Sequence, residues 1–502
     1  MATPAPQHPT TTSPLFPHGA CLLGQGSSPQ YLTLSRANRH GLVAGATGTG
    51  KTVTLQVLAE GFLAHGVPVF MADVKGDLSG IAASGGSEKA RARAEKLQLQ
   101  DYAPASMPTV FWDVFGTRGH ALRMTISEVG PILLARLLDL SDAQEGVLAI
   151  AFQIADDQGL LLLDLEDLHS LLLHVGEQAK PYSAQYGNIS AATVNAIQRK
   201  LLQLKQEGAE AMFGEPALDI HDLLRTAPDG RGIAHVLAAE QLIQRPRMYS
   251  IFLLWLLSEL FENLPEIGDA DKPKLVFFFD EAHLLFADAP KALLEKVEQM
   301  VRLIRSKGVG VYFVTQQPQD IPADVLAQLG NRVQHALRAF TPQEQKAVKV
   351  AASSFRPNPA VDVQAAITTL AVGEALVSTL QEDGTPTMVE RTAIRPPISR
   401  MGPLSDAERQ DVLRRDPIGD TYDTPLNRDS AHEMLQARKA AQAPQPVQQT
   451  AQQTTPRRSS GGRAAQSVTD QVVNAAVRQV TGQIGRSIGR QLLRGLLGGL
   501  TK

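Results

Sequence analysis

Gly45-Ala46-Thr47-Gly48-Thr49-Gly50-Lys51-Thr52 lies between the apolar run Gly41-Leu42-Val43-Ala44 and the helix-forming stretch Val53-Thr54-Leu55-Gln56-Val57-Leu58. Strand, glycine-rich turn and helix in that order are what a phosphate-binding P-loop requires. Glycines let the backbone turn tightly, so that successive N–H groups converge on phosphate oxygens. The positive end of the following helix adds to the attraction. On this reading residues 45–50 cradle a nucleotide's phosphates and Lys51 neutralises the β- and γ-phosphates. The Thr52 hydroxyl completes the shell of a bound Mg²⁺. The plain alternative, a Gly/Thr-rich turn that matches by chance, is weakened by the correct flanks on both sides.

The bulk composition sets limits around that motif. A chain of 502 residues can bury a large core and hold two or three structural units. Hydrophobic content of 43% and a net charge of −3 are ordinary for a globular protein, so any nucleic-acid surface must be local. The lone cysteine, Cys21, rules out an intramolecular disulfide and suits a reducing cytoplasm. The longest apolar run, Ile251 to Leu257, is too short to span a bilayer, which needs roughly 20 residues. It reads as a buried helix, and the expected location is cytoplasmic, with no transmembrane segment.

Working outward from the P-loop, Val67 to Asp73 and Thr109 to Val114 read as further strands, giving a βαβ unit and hence a parallel, doubly covered sheet. The expected class is α/β: a P-loop core with a mostly parallel sheet, a helical insertion and a C-terminal helical tail. Residues 1–18 read as a disordered lead and 19–117 as the first part of the core. Apolar residues then fall at helical spacing, marking a helical insertion subdomain over 118–228. Its carboxylates, Asp156-Asp157 and Asp164 to Asp167, read as solvated faces and helix caps rather than metal ligands. The second part of the core covers 229–400, with strands at Lys274–Phe279, Gly310–Val314, Arg332–Leu337 and Glu374–Ser378. Past Pro396-Pro397 the chain reads as a partly disordered linker over 401–466, followed by a basic amphipathic helical tail over 467–502.

Three further stretches carry chemistry. Phe277-Phe278-Phe279-Asp280-Glu281 is a buried strand ending in two carboxylates, with Asp280 placed to hold Mg²⁺ and Glu281 to take a proton from attacking water. Gln316 follows the strand that ends at Thr315, on the sheet edge where the P-loop lies, and suits a γ-phosphate sensor better than its neighbour Gln317. Asp73 ends another strand on the same edge, where it either serves the nucleotide or caps the next helix. Arg305 and Arg39 each precede a core strand and are candidates to complete a neighbouring subunit's site.

Taken together with Asp73-Val74-Lys75-Gly76-Asp77, Arg305-Ser306-Lys307-Gly308-Val309-Gly310 and Thr315-Gln316-Gln317-Pro318, these motifs resemble the HerA/FtsK superfamily of ring ATPases. The likeness is strongest to its bacterial HerA-like branch, of the YjgR type, and extends from about residue 20 to 400. The resemblance implies a RecA-like α/β core, usually a hexamer that moves along double-stranded DNA. It assigns Lys51 and Thr52 to nucleotide, Asp280 and Glu281 to metal and water, Gln316 to sensing, and Arg305 and Arg39 to the subunit interface. HerA proteins carry a β-barrel ahead of the P-loop, and the residues preceding Gly45 are too few for a whole one.

Asp280-Glu281-Ala282-His283 also spells the DEAH-box signature, but the second α/β domain those helicases need is missing from the pattern, which leaves His283 structural. In the tail, Val473, Val477, Val480, Ile484 and Ile488 form an apolar stripe while Arg486, Arg490 and Arg494 line another face. A docking helix for a partner or neighbouring subunit, a membrane-surface helix and a phosphate-binding arm remain open, in that order. The expected activity is ATP hydrolysis with Mg²⁺ by a ring-forming DNA translocase or helicase-like motor. The alternative is a P-loop ATPase switch or assembly factor acting on protein partners.

Overall fold

The computed structural model of the protein describes residues 14–268, 270–286 and 291–442. The strands in chain order are β1 (Ala20–Gln25), β2 (Pro29–Thr33), β3 (Gly41–Ala44), β4 (Val69–Asp73), β5 (Thr109–Asp113) and β6 (His120–Ala121). They continue with β7 (Ala234–Ala238), β8 (Leu275–Phe279), β9 (Val309–Thr315), β10 (Asn331–Gln334), β11 (Glu374–Ser378) and β12 (Glu390–Ile394). All join one sheet in the order β2-β1-β12-β11-β10-β3-β9-β8-β4-β7-β5-β6.

From β10 to β6 every neighbouring pair is parallel. From β10 outward through β11, β12, β1 and β2 every pair is antiparallel. The sheet is therefore mostly parallel, as the α/β reading expects. The P-loop strand and β4 are consecutive in sequence but not neighbours, because β9 and β8 insert between them.

Burial explains why the central strands read as continuous apolar runs. All of β8 and β9 is buried, as a parallel strand covered on both faces must be. Successive side chains leave on opposite faces. Phe277, Phe279 and Phe313 join one core with Trp255 of the helix Pro246–Asn263. Val276, Phe278 and Tyr312 join the other with Leu55, Leu58 and Phe62 of the helix Lys51–Ala64. The apolar run 251–257 is thus a buried helix. No helix among the described residues is long and apolar enough to cross a membrane.

Between β6 and β7 the chain forms helices at Ile126–Leu137, Asp142–Gln158, Leu165–Glu177, Ala179–Tyr186 and Ala191–Gln206. Asp164 and Asp167 build a capping box on the third of these, which accounts for that acidic cluster.

Two boundaries differ from expectation. Residues 14–18, expected within a disordered lead, are packed: Leu15 is buried and its N–H donates to Asp101. Residues 401–438, within the stretch expected as linker, instead return across the core. Arg409 lies over the Phe111 ring, Tyr422 packs edge-on to Trp112, and Ala431 and Leu435 are buried. Charged and proline-containing sequence hid this segment, because its few large anchors are spaced irregularly. The tail at 467–502 lies outside the described residues.

Candidate nucleotide site

The ends of five neighbouring strands build the site. Ala44 pairs with Thr315 on one side and Gln334 on the other, so the P-loop leaves β3 between the ends of β9 and β10. Its first N–H groups are spent on that placement: Gly45 donates to the Thr315 carbonyl and Ala46 to the Ala336 carbonyl. Gly45 has to be glycine, since a Cβ there would stand 2.5 Å from the Cβ of His335. Gly50 caps the helix Lys51–Ala64 with φ of 116°, a left-handed conformation that glycine adopts without penalty. Gly373 closes the far side by donating its N–H to the Thr49 carbonyl, and Arg93 holds Gly373 through its own carbonyl.

Lys51 is buried and its ammonium donates to the carbonyls of Gly45 (2.7 Å) and Ala46 (3.2 Å), so its Nζ lies across the mouth of the loop. Burial above all, and the charge of Lys75, lower its pKa, while Glu281 and Asp280 support the charged form. Thr52 is the second residue of the helix, next to Lys51.

Asp280 and Glu281 follow β8. The Asp280 carboxylate accepts from the Glu281 N–H at 2.9 Å, and its carbonyl accepts from the Tyr249 hydroxyl at 2.9 Å. Burial, then the Glu281 charge, push Asp280 up to about 6. A half-buried carboxylate at a strand end on the P-loop edge is a fitting ligand for a divalent cation. Among the described residues no cluster of three or more His, Cys, Asp or Glu could hold a metal alone. Glu281 turns the chain with φ of 47°, rare for a residue with a side chain. The turn lets the Ala282 N–H reach the Val314 carbonyl.

Gln316 lines a cleft of about 230 Å³ together with Ala46 and Thr47 of the P-loop, Arg338 and Glu344. Gln317 instead uses its backbone N–H on Asp320 to start a short turn. Asp73 reaches the same edge, but its buried carboxylate caps the Leu78 N–H. Burial, then Asp77 and Glu240, push it up to about 7. Its charged neighbours are therefore not those of Lys51, and the capping role describes its contacts.

Arg39 and Arg305 lie elsewhere. Arg39 precedes β3 and Arg305 precedes β9, so both stand at the edge opposite the P-loop. The two flank His40, whose ring joins the segments: Nε2 donates to the Val301 carbonyl at 2.7 Å and Nδ1 accepts from the Val311 N–H at 3.0 Å.

Two residues at the site lay outside the sequence-based candidates. Lys75 stands 3.2 Å from Glu281 Oε1; it was visible only as part of the Asp73–Asp77 motif. His335 packs under Gly45 and had no signal, being one residue in an ordinary strand run. A larger cavity, about 1040 Å³, lies beside β6, the helical insertion and residues 410–433. Among its charges Arg428 pairs with Glu215 and His120 with Asp416 and Asp423, and it holds none of the phosphate-binding motif.

The profile of the family described as helicase HerA-like, C-terminal, matches residues 21–502. No curated protein matches the chain significantly. Solved structures similar to it include the bacterial conjugative coupling protein TrwBdeltaN70 in an unbound form, at 15% identity and TM-score 0.49, covering 76% of this chain and 90% of that one. VirB4 of Thermoanaerobacter pseudethanolicus is 14% identical with TM-score 0.46, over 76% of this chain and 98% of its own. The plasmid coupling protein TrwB in complex with ADP and Mg²⁺ is 15% identical with TM-score 0.47, over 74% and 91%. With the profile matched across residues 21–502, the chain belongs to the HerA-like helicase C-terminal family.

Proposed function

We propose that this protein is a Mg²⁺-dependent ATP hydrolase of the HerA/FtsK type, acting in the cytoplasm as a ring, a hexamer, that moves along double-stranded DNA. Lys51 would exchange the Gly45 and Ala46 carbonyls for the β- and γ-phosphates, while the loop N–H groups hold their oxygens. Thr52 and Asp280 would hold Mg²⁺, which supplies neutralising charge to the phosphates. Glu281 would accept a proton from the attacking water as the water oxygen bonds the γ-phosphorus and the bridging oxygen leaves with ADP. Gln316, beside Thr47 in the cleft, would orient that water.

The observation that carries the ring is the division of the candidates between two edges. Lys51, Asp280, Glu281 and Gln316 share one edge of the sheet and Arg39 and Arg305 the other. Arginines so placed can serve a nucleotide only in another copy.

The test is the ATPase rate of the purified chain against protein concentration, with and without duplex DNA. The rate per chain is expected to rise with concentration and again with DNA. Glu281→Gln should lower turnover by about 100-fold or more with nucleotide still bound. A rate per chain indifferent to concentration and to DNA over a range of salt would overturn the motor, leaving a P-loop switch for protein partners.

A further inference from the structure

The turn after β4 brings a second lysine to the site. Gly76, at φ of 79°, lets the chain double back where a Cβ would stand 2.8 Å from Glu240 Oε1. Lys75 is thereby aimed across the edge, its ammonium 3.2 Å from Glu281 Oε1. Its side chain is 46% exposed against 11% for Glu281. One partner is therefore fixed and the other free to swing on a flexible stem. Glu281 is fixed further by its positive φ, and its Oε2 stands 3.4 Å from His283 Nδ1.

Lys51 and Lys75 share this edge with Asp280 and Glu281, and both carboxylates support the charged form of each lysine. While the ammonium stands on Oε1, that oxygen of Glu281 is covered by Lys75.

We infer that Lys75 is a second phosphate-binding lysine, specific for the γ-phosphoryl group of a nucleoside triphosphate, and that it rests on Glu281 until that group arrives. The γ-phosphate draws the ammonium away from Glu281, so the ion pair opens only when a triphosphate is bound. The same lysine gives the site a preference for triphosphate over diphosphate. This rests on the hydrolase reading of the site, and different variants test the two.

The experiment is binding of ADP and of the non-hydrolysable analogue ADPNP, each with Mg²⁺, to the full-length protein. Lys75→Ala is expected to bind ADP within about twofold of wild type and ADPNP about tenfold more weakly, the size of one charge-assisted hydrogen bond. Lys75→Arg should recover most of the loss. Glu281→Gln, which removes the resting partner's charge, should bind ADPNP about two- to fivefold tighter with ADP unchanged. That gain should vanish in the double variant with Lys75→Ala. Equal loss of both nucleotides, or of neither, in Lys75→Ala overturns the assignment, as does a Glu281→Gln variant with no gain for ADPNP. Lys51→Ala reports separately: if it binds both nucleotides normally, the P-loop reading itself falls.

Discussion

At the scale of single residues, His335 shows what the P-loop rests on. Its N–H donates to the Ala44 carbonyl at 2.7 Å, and its ring lies between the Glu374 carbonyl on Nδ1 (2.9 Å) and the Thr54 hydroxyl on Nε2 (2.8 Å). Both bonds are satisfied by the neutral ring, with Nδ1 donating and Nε2 accepting. Burial first, and the nearby Lys51 charge, lower its pKa to about 4. The unfolded imidazole takes up its proton near 6.5 and the folded one only near 4, so between those values the unfolded state binds more protons and stability falls as pH falls. The full span is worth about 3 kcal/mol. His335→Asn lacks that titration. The gap in urea-unfolding free energy between wild type and variant should therefore shrink by up to about 3 kcal/mol from pH 7 to pH 4, and a constant gap would refute the buried neutral ring. Lys51 and Asp280 were legible because their chemistry is written in consecutive residues. His335 was not, because it reaches the P-loop only through the pairing of β10 with β3. Asp73 shows the converse: strand-end position placed it at the right edge, while its contacts are with the turn leading to Leu78.

At the scale of elements, the core strands were legible because burial on both faces leaves almost no polar residue in them. The antiparallel flank was legible only in pieces. β1 and β2 are short, and their place beside β12 depends on residues more than 350 positions away in sequence, as the pairing of Gly24 with Ile394 illustrates. What fastens that flank to the P-loop helix is a buried ion pair. Arg395 Nη1 stands 2.9 Å from Glu60 Oε2, both side chains fully buried. The carboxylate also accepts from the N–H groups of Ile398 and Ser399 and from the Ser399 hydroxyl. Every lone pair is used, so the pair sets geometry as much as it stabilises. Glu60→Gln leaves the Arg395 charge buried without its counter-ion and should cost about 3–5 kcal/mol in urea unfolding. It should also loosen the helix that presents Lys51. A cost below about 1 kcal/mol would mean that the arginine finds other partners, since that is the range of an exposed pair. The packing of residues 401–438 was hidden from the sequence for a related reason. Tyr422 is polar enough for a linker, yet its hydroxyl donates to Asp222 at 2.6 Å while its ring lies against Trp112. Neither contact has a local signature.

At the scale of the whole molecule, one sheet carries two unlike edges. The seven residues of β9 carry the chain about 20 Å from the side of Arg305 to that of Gln316. No side chain spans that distance, so within one copy the arginines and the phosphates stay apart. Stacking copies around a closed ring would bring the arginine edge of each to the P-loop edge of the next, a head-to-tail interface that closes by rotation. The prediction is one of complementation between dead variants. Lys51→Ala keeps its arginines but loses its own phosphate site, and Arg305→Ala keeps its site but loses the arginine. Each alone should be slowed by about 10³-fold or more, the effect of removing a trans arginine. Mixed in equal amounts and allowed to reassemble, they should recover roughly a quarter of wild-type turnover, because each interface draws its two halves independently. A mixture no faster than the mean of its parents would place Arg305 outside the neighbouring subunit's site. The same experiment with Arg39→Ala asks whether the two arginines flanking His40 act together: if they do, neither can stand in for the other, and the mixtures recover alike.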